Sequence, residues 1–287
     1  MIISPLYTPI TESVSADNAT YLADRALVTA PQLIIPRRQP TGPVLWNRRH
    51  KMSDHLVGLW PLWGGTTGFI PDLVNGNHGS ATGSGIKRAY GPGGRGIECT
   101  DASAHYLSLG SIASDNPLSC NANNEMTVIT RMWMPTTLGS SFPRILDKTS
   151  AATAGTGGYS FNFRTQGATN PNNTMAVGIG GTNVNGADDA LGAANVEWTG
   201  FDASCCWAYA SGDTDFYFKH GFAPVTSSIT AATIPTTTAT ASIAGMNTSS
   251  DRGWLGAVYI VMVWDIKIPQ DHIAALMADP YLLLESP

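Results

Sequence analysis

From Leu56 onward the chain is a succession of short apolar or alternating runs separated by turn residues, a rhythm that predicts strands. The runs fall at 56–63, 96–100, 105–109, 126–134, 144–148, 159–164, 174–180, 203–210, 215–221, 240–245 and 255–265. Within 126–134, Met126, Val128, Thr130, Met132 and Met134 share one face, while Thr127, Ile129, Arg131 and Trp133 share the other. Both faces are partly apolar, so something packs on each side. Gly/Asn/Asp/Pro clusters at 75–79, 90–96 and 167–173 supply turns. Thr226–Ser242 holds ten Ser/Thr in seventeen residues and reads as an exposed loop plus an edge strand. A single helix is expected, with Pro269 at its first position, Ile273, Leu276 and Met277 on one face, and Asp279-Pro280 closing it. The pattern predicts an all-β antiparallel sandwich with one short C-terminal helix.

Charge divides the chain at about Lys51. Residues 1–51 carry six Lys/Arg against three Asp/Glu, a net of +3, whereas 52–287 carry ten against eighteen, a net of -8. The first part also holds six prolines, which deny a helix and favour extended backbone. The expected organisation is therefore an extended Pro/Arg-rich arm (1–51) followed by a jelly-roll domain (52–287). In the arm, Arg37, Arg38, Arg48, Arg49 and Lys51 are interleaved with Trp46 and apolar residues, a mixture that suits docking along a protein surface. Nucleic acid is a less apt partner, because five charges give only modest, salt-sensitive affinity.

Over the whole chain only 13% of residues are charged and 43% are hydrophobic, and the net charge is -5. An acidic balance argues against a nucleic-acid or anionic-membrane binder. No apolar run approaches the roughly 18 residues of a membrane helix. The N-terminus lacks a basic leader followed by an apolar core, so no signal peptide is expected. Cys99, Cys120, Cys205 and Cys206 lack the spacing of a zinc site and are expected as buried thiols.

Several segments resemble the laminin-G-like, concanavalin A-type jelly roll, in the form found in tailed-phage virion proteins. Residues 53–83 resemble its opening strand and the Asp-Leu-x-x-Gly-Asn-x-Gly turn, supplied by Asp72, Leu73, Gly76, Asn77 and Gly79. Residues 94–110, 126–135 and 213–221 resemble successive strands, and 254–284 the closing strand, short helix and Asp-Pro-aromatic end. The likeness covers about four-fifths of the chain and excludes the arm. It implies a virion component, made in the host cytoplasm and anchored by its arm, with the major capsid protein as first partner and a homo-oligomer as a further arrangement. Gly256 stands where secreted relatives commonly have Asp, which argues against their calcium site.

Catalysis finds little in the sequence. The Glu-x-Asp-x-x-Glu strand of related glucanases is absent, the histidines are scattered, and there is no G-x-S-x-G elbow. The chain is therefore expected not to be an enzyme and to carry no cofactor. Asp72, Asn77 and Asp251 are the calcium candidates, with Asx turns as the preferred account. Trp60, Trp63, Trp133, Trp207, Trp254 and Trp264 are expected in the core. Trp198 and Phe201 are the candidates for stacking on a sugar. A capsid decoration protein is the leading expectation, and a carbohydrate-binding adhesin the alternative.

Overall fold

A computed structural model describes residues 39–64, 68–99, 105–133, 143–150, 157–165, 173–180, 182–185, 202–211, 213–219, 225–228, 233–247 and 252–287. Its strands are β1 (Leu45–Trp46), β2 (Leu56–Pro61), β3 (Ser80–Thr82), β4 (Ile86–Gly91), β5 (Gly94–Cys99), β6 (Tyr106–Ile112), β7 (Glu125–Trp133), β8 (Arg144–Lys148) and β9 (Tyr159–Thr165). There follow β10 (Asn173–Ile179), β11 (Thr182–Asn185), β12 (Asp202–Ala210), β13 (Asp213–Lys219), β14 (Val225–Ser228), β15 (Ala239–Ile243), β16 (Ala257–Trp264), the helix α1 (Gln270–Ala278) and β17 (Leu284–Glu285).

Two antiparallel sheets form a sandwich. One runs β11-β10-β9-β8-β15-β6-β3; the other runs β14-β13-β12-β7-β16-β5-β4, with β2 also paired along β16. Between them Trp207 meets Phe161 and Phe163 edge-on at 6.0 and 5.5 Å, and Trp254 meets Phe163 at 5.3 Å. Met126, Val128 and Met132 of β7 join this core, as the alternation requires.

The opposite face of the eight-stranded sheet is buried as well. Ile129, Cys206, Met262 and Trp264 point there, all fully buried, as are Ile273 and Leu276 of α1. Helix α1 packs on β7 and β12, and the Trp264 indole donates to the Met52 carbonyl at 2.8 Å. A strand covered on both faces reads as a continuous apolar run, which is why AVYIVMVW of β16 shows no alternation and no exposed residue. All four cysteines are buried thiols, Cys205 in the core and Cys206 on the helix side.

One expected edge strand lies at the centre. Ala239–Ile243 pairs with both β6 and β8. Ala239, Ala241, Ser242 and Ile243 are all buried, so the small residues fit a crowded mid-sheet position rather than a rim. The neighbouring Val225–Ser228 does occupy an edge. Helix α1 begins at Gln270 with Pro269 as its N-cap, one residue later than expected.

Candidate functional site

The sequence candidates are scattered. Arg37, Arg38, Trp198, Phe201 and Asp251 lie outside the described residues. Asp72 is buried, and its carboxylate accepts from four backbone N–H groups, those of Leu59, Val74, Asn75 and Asn77, at 3.0–3.3 Å. His78 Nδ1 accepts from the Asp72 N–H, and Asn77 Oδ1 accepts from Asn116. These bonds make the segment an Asx turn that pins β2 to the following loop. No group of three or more His, Cys, Asp or Glu is placed to hold a metal among the described residues.

The described part of the expected arm lies on the sandwich. Leu45–Trp46 pairs with Leu284–Glu285, Trp46 Nε1 donates to Ser53 Oγ at 2.9 Å, and the Arg48 guanidinium sits 5.2 Å from the Trp46 ring centre. Upstream, Gln39 exchanges two hydrogen bonds with the Arg95 backbone. Arg48 and Arg49 are exposed, and Lys51 starts a short 3-10 turn.

The outer face of the seven-stranded sheet carries a row of polar side chains, Ser80, Ser108, Ser242, Asp147 and Ser160, on consecutive strands. Asp147, Ser160 and Ser242 are fully buried. Thr149 Oγ1 donates to Asp147 at 2.6 Å, and the Arg144 Nε stands 3.7 Å from the same carboxylate. Burial pushes the Asp147 carboxyl above the usual range, against the attraction of Arg144. Such a group tunes stability with pH, but it does not meet solvent.

A more accessible constellation lies on the outer face of the other sheet, at the end away from α1. Alternation along β7 turns Arg131 and Trp133 out of the core, and Trp133 faces Asp202, the first residue of β12. Arg131 holds the Asp202 carboxylate with two hydrogen bonds, Nε to Oδ1 at 2.9 Å and Nη2 to Oδ2 at 2.5 Å. Their side chains are 9% and 16% exposed, so the pair sits at the margin of solvent. Beside it, β16 is bulged between Val258 and Ile260. The extra residue, Tyr259, turns to the outer face and packs with Ala89, Ala257 and Trp133, while Val258 stays in the core.

Three further groups complete the site. The Gly93 N–H donates to the Tyr259 hydroxyl at 3.2 Å. Tyr281, from the segment after α1, sets its ring edge-on against Trp63 at 5.4 Å. It is 7% exposed, and its hydroxyl lacks a hydrogen-bond partner. Burial raises the pKa of both tyrosines, with Asp202 adding to the rise, so both hydroxyls stay protonated at neutral pH. Close approach of the turn requires glycine: a Cβ on Gly93 would stand 2.6 Å from the Asp202 carboxylate, and one on Gly91 would collide with the Tyr259 hydroxyl. The result is a half-buried indole beside a fixed carboxylate, an apolar ring next to oriented acceptors, with the Tyr281 hydroxyl buried behind them. Trp133 thus departs from the expected core position, whereas Trp60, Trp63, Trp207, Trp254 and Trp264 are buried.

No protein-family model matches the chain, and no curated protein matches it in sequence. Solved structures match it in fold. Domain 4 of a GH43 extracellular arabinanase from Geobacillus stearothermophilus, in complex with arabinotriose, superposes with a TM-score of 0.53 at 14% identity, over 77% of this chain and 98% of that one. The Trypanosoma rangeli sialidase in complex with 2,3-difluorosialic acid gives 0.52 at 12% identity, over 80% of this chain. With 2,3-difluoro-KDN bound, the same sialidase gives 0.52 at 11% identity, over 92% of this chain. The chain spans 34% and 38% of those two sialidase chains. At such identities the likeness is one of fold, a β-sandwich consistent with the concanavalin A-like jelly roll. It also corrects one expectation. The chain was expected not to be an enzyme because a strand motif is missing, but its fold is one that an arabinanase and a sialidase contain, so that argument does not stand.

Proposed function

We propose that this chain is a saccharide-binding β-sandwich module, with Trp133 as the stacking ring and Asp202 as a hydrogen-bonding partner. The observation that carries the reading is the half-buried Trp133 placed directly opposite a carboxylate that Arg131 holds in a bidentate grip. A ring with its face toward solvent takes the apolar side of a sugar, and preorganised oxygens take the hydroxyls. Occurrence of the fold in an arabinanase domain solved with arabinotriose supports a saccharide as the ligand class. Calorimetric titration with arabinotriose, together with a glycan array, tests the reading. Binding should appear in the wild type and fall at least about tenfold in Trp133→Ala, a loss of about 1.4 kcal/mol. Binding that is indifferent to Trp133 and Asp202 would overturn it.

A second reading, the laminin-G-like virion component with the major capsid protein as partner, is favoured by a different observation. Pairing of β1 with β17, with Trp46 tied to Ser53, holds residues 45–53 on the sandwich, among them the exposed Arg48 and Arg49. Its test is incorporation into particles: Arg48→Glu with Arg49→Glu, both exposed positions, should weaken attachment more at low salt than at high salt. Unchanged incorporation would remove these charges from the anchoring.

A further inference from the structure

The turn after β2 carries a reactive pair that saccharide binding does not use. Asn-Gly occurs at 75–76 and 185–186, and only the first pair lies wholly within the described residues. Asn75 and Gly76 are both exposed. Gly76 has a φ of 74°, and a Cβ built there would come no closer than 4.0 Å to any residue beyond its chain neighbours, so nothing crowds its backbone nitrogen. The N–H groups on either side, of Asn75 and Asn77, both donate to Asp72 Oδ2, at 3.3 and 3.0 Å. That of Gly76 makes no hydrogen bond among the described residues. The Asn75 side chain is tied at one point, where Nδ2 donates to the Val57 carbonyl of β2 at 2.9 Å.

We propose that Asn75 is a self-modification site, at which the Gly76 nitrogen closes on the Asn75 carboxamide and converts it to aspartate and isoaspartate. The Gly76 nitrogen gives up its proton and bonds to Asn75 Cγ, the Cγ–Nδ2 bond breaks, and ammonia leaves with that proton. Water then opens the five-membered imide at either carbonyl. One opening restores the main chain with an aspartate; the other routes it through Cβ and Cγ as isoaspartate. Nothing is oxidised or reduced, and water is the only co-reactant. The missing side chain, the unbonded N–H and the solvent at both residues admit the step. One bond opposes it, since Nδ2 must leave the Val57 carbonyl before the amide can turn, and a net hydrogen bond of this kind slows conversion about two- to tenfold. Conversion alters the fold where β2 is fastened. It puts a carboxylate where an N–H donor faced the Val57 carbonyl, and adds negative charge to a residue whose own N–H is held by Asp72. The isoaspartate branch also lengthens the main chain between the two N–H groups that Asp72 Oδ2 gathers.

The test incubates the full chain at mildly alkaline pH beside a synthetic peptide of residues 70–80. Peptide mapping follows Asn75 by the amide-to-acid mass gain and separates aspartate from isoaspartate by retention. Asn75 should convert in the folded chain about two- to tenfold more slowly than in the peptide, and ahead of Asn77, which precedes a histidine. Gly76→Ala, for which the structure leaves room, should slow conversion in chain and peptide alike. Asn75→Asp stands in for the aspartate product and should melt about 2–4 °C below the wild type. No conversion at Asn75 by the time the peptide is complete, conversion as fast as the peptide's, or a rate that Gly76→Ala leaves unchanged would overturn the site. An Asn75→Asp chain that melts with the wild type would overturn its hold on β2.

Discussion

Replacing Arg131 by Met removes the guanidinium while keeping an unbranched, apolar stem of similar length. Asp202 then keeps its charge at a position 16% exposed, beside Trp133 and the Tyr259 ring, having lost two charge-assisted hydrogen bonds. Breaking a fully buried pair by deleting one partner costs about 3–5 kcal/mol. Water at the margin of this site screens part of that, so a cost of ~2–4 kcal/mol is expected. For a domain of this size the melting temperature should fall by roughly 4–12 °C. Asp202→Asn alone leaves the guanidinium facing a neutral amide, and the double variant Arg131→Met with Asp202→Asn relieves the stranded charge. Urea unfolding of the four proteins closes a cycle whose coupling should be about 1–3 kcal/mol. Arg131→Lys, which keeps charge but not the fork, should recover less than half of the loss. Saccharide affinity should follow the position of Asp202 rather than its charge alone, so Arg131→Lys should weaken binding even where the fold is stable. A coupling below about 0.5 kcal/mol, with Arg131→Met within about 1 kcal/mol of the wild type, would show that the pair neither braces the sheet end nor fixes the carboxylate.

Two further predictions concern the buried carboxylates. Burial raises the Asp147 pKa in the folded state, so the folded chain holds that proton more tightly than the unfolded chain; the resulting stability is complete below the ordinary aspartate value near 4 and is lost as pH rises through the raised one. Asp147→Asn should therefore gain stability relative to the wild type as pH goes from about 4 to 7, and a difference that is flat or runs the other way in melting temperature would refute the sign. Asp72→Ala strands four backbone N–H groups and should cost about 2–4 kcal/mol in urea unfolding, while EDTA should leave the wild-type melting temperature within about 2 °C; a fall of about 10 °C on chelation would mean that the carboxylate serves a metal instead.

Strand existence was legible because most of the sandwich obeys the period of two, and Tyr159, Phe161 and Phe163 enter the core as the alternation says. Burial on both faces of β7 followed from the same reading, since Ile129 and Met132 are both fully buried on opposite sides. Position within a sheet was not legible. Ala239–Ile243 is rich in small polar residues and looks like a rim, yet partners far away in sequence, Leu107 and Leu146, place it mid-sheet. Local composition carries no record of which strand lies alongside. The Asp72 turn is more legible, because three of its hydrogen-bond partners, Val74, Asn75 and Asn77, are near in sequence.

The candidate site was hidden for a related reason. Its parts come from positions 63, 91–93, 131–133, 202, 257–259 and 281, spread over segments far apart in sequence. Sequence alternation already turned those two away from the methionines, but an apolar face on both sides of β7 made core packing the cheaper account of the indole. What separates Trp133 from Trp264, which is fully buried on the same side of that sheet, is the reach of α1: the helix covers one end of the sheet and leaves the other to a glycine turn. The bulge at Tyr259 adds the remaining element, since one inserted residue sends a tyrosine outward where strict alternation would have kept its neighbours in phase. A bulge depends on register against β7, so it leaves no mark in the composition of AVYIVMVW.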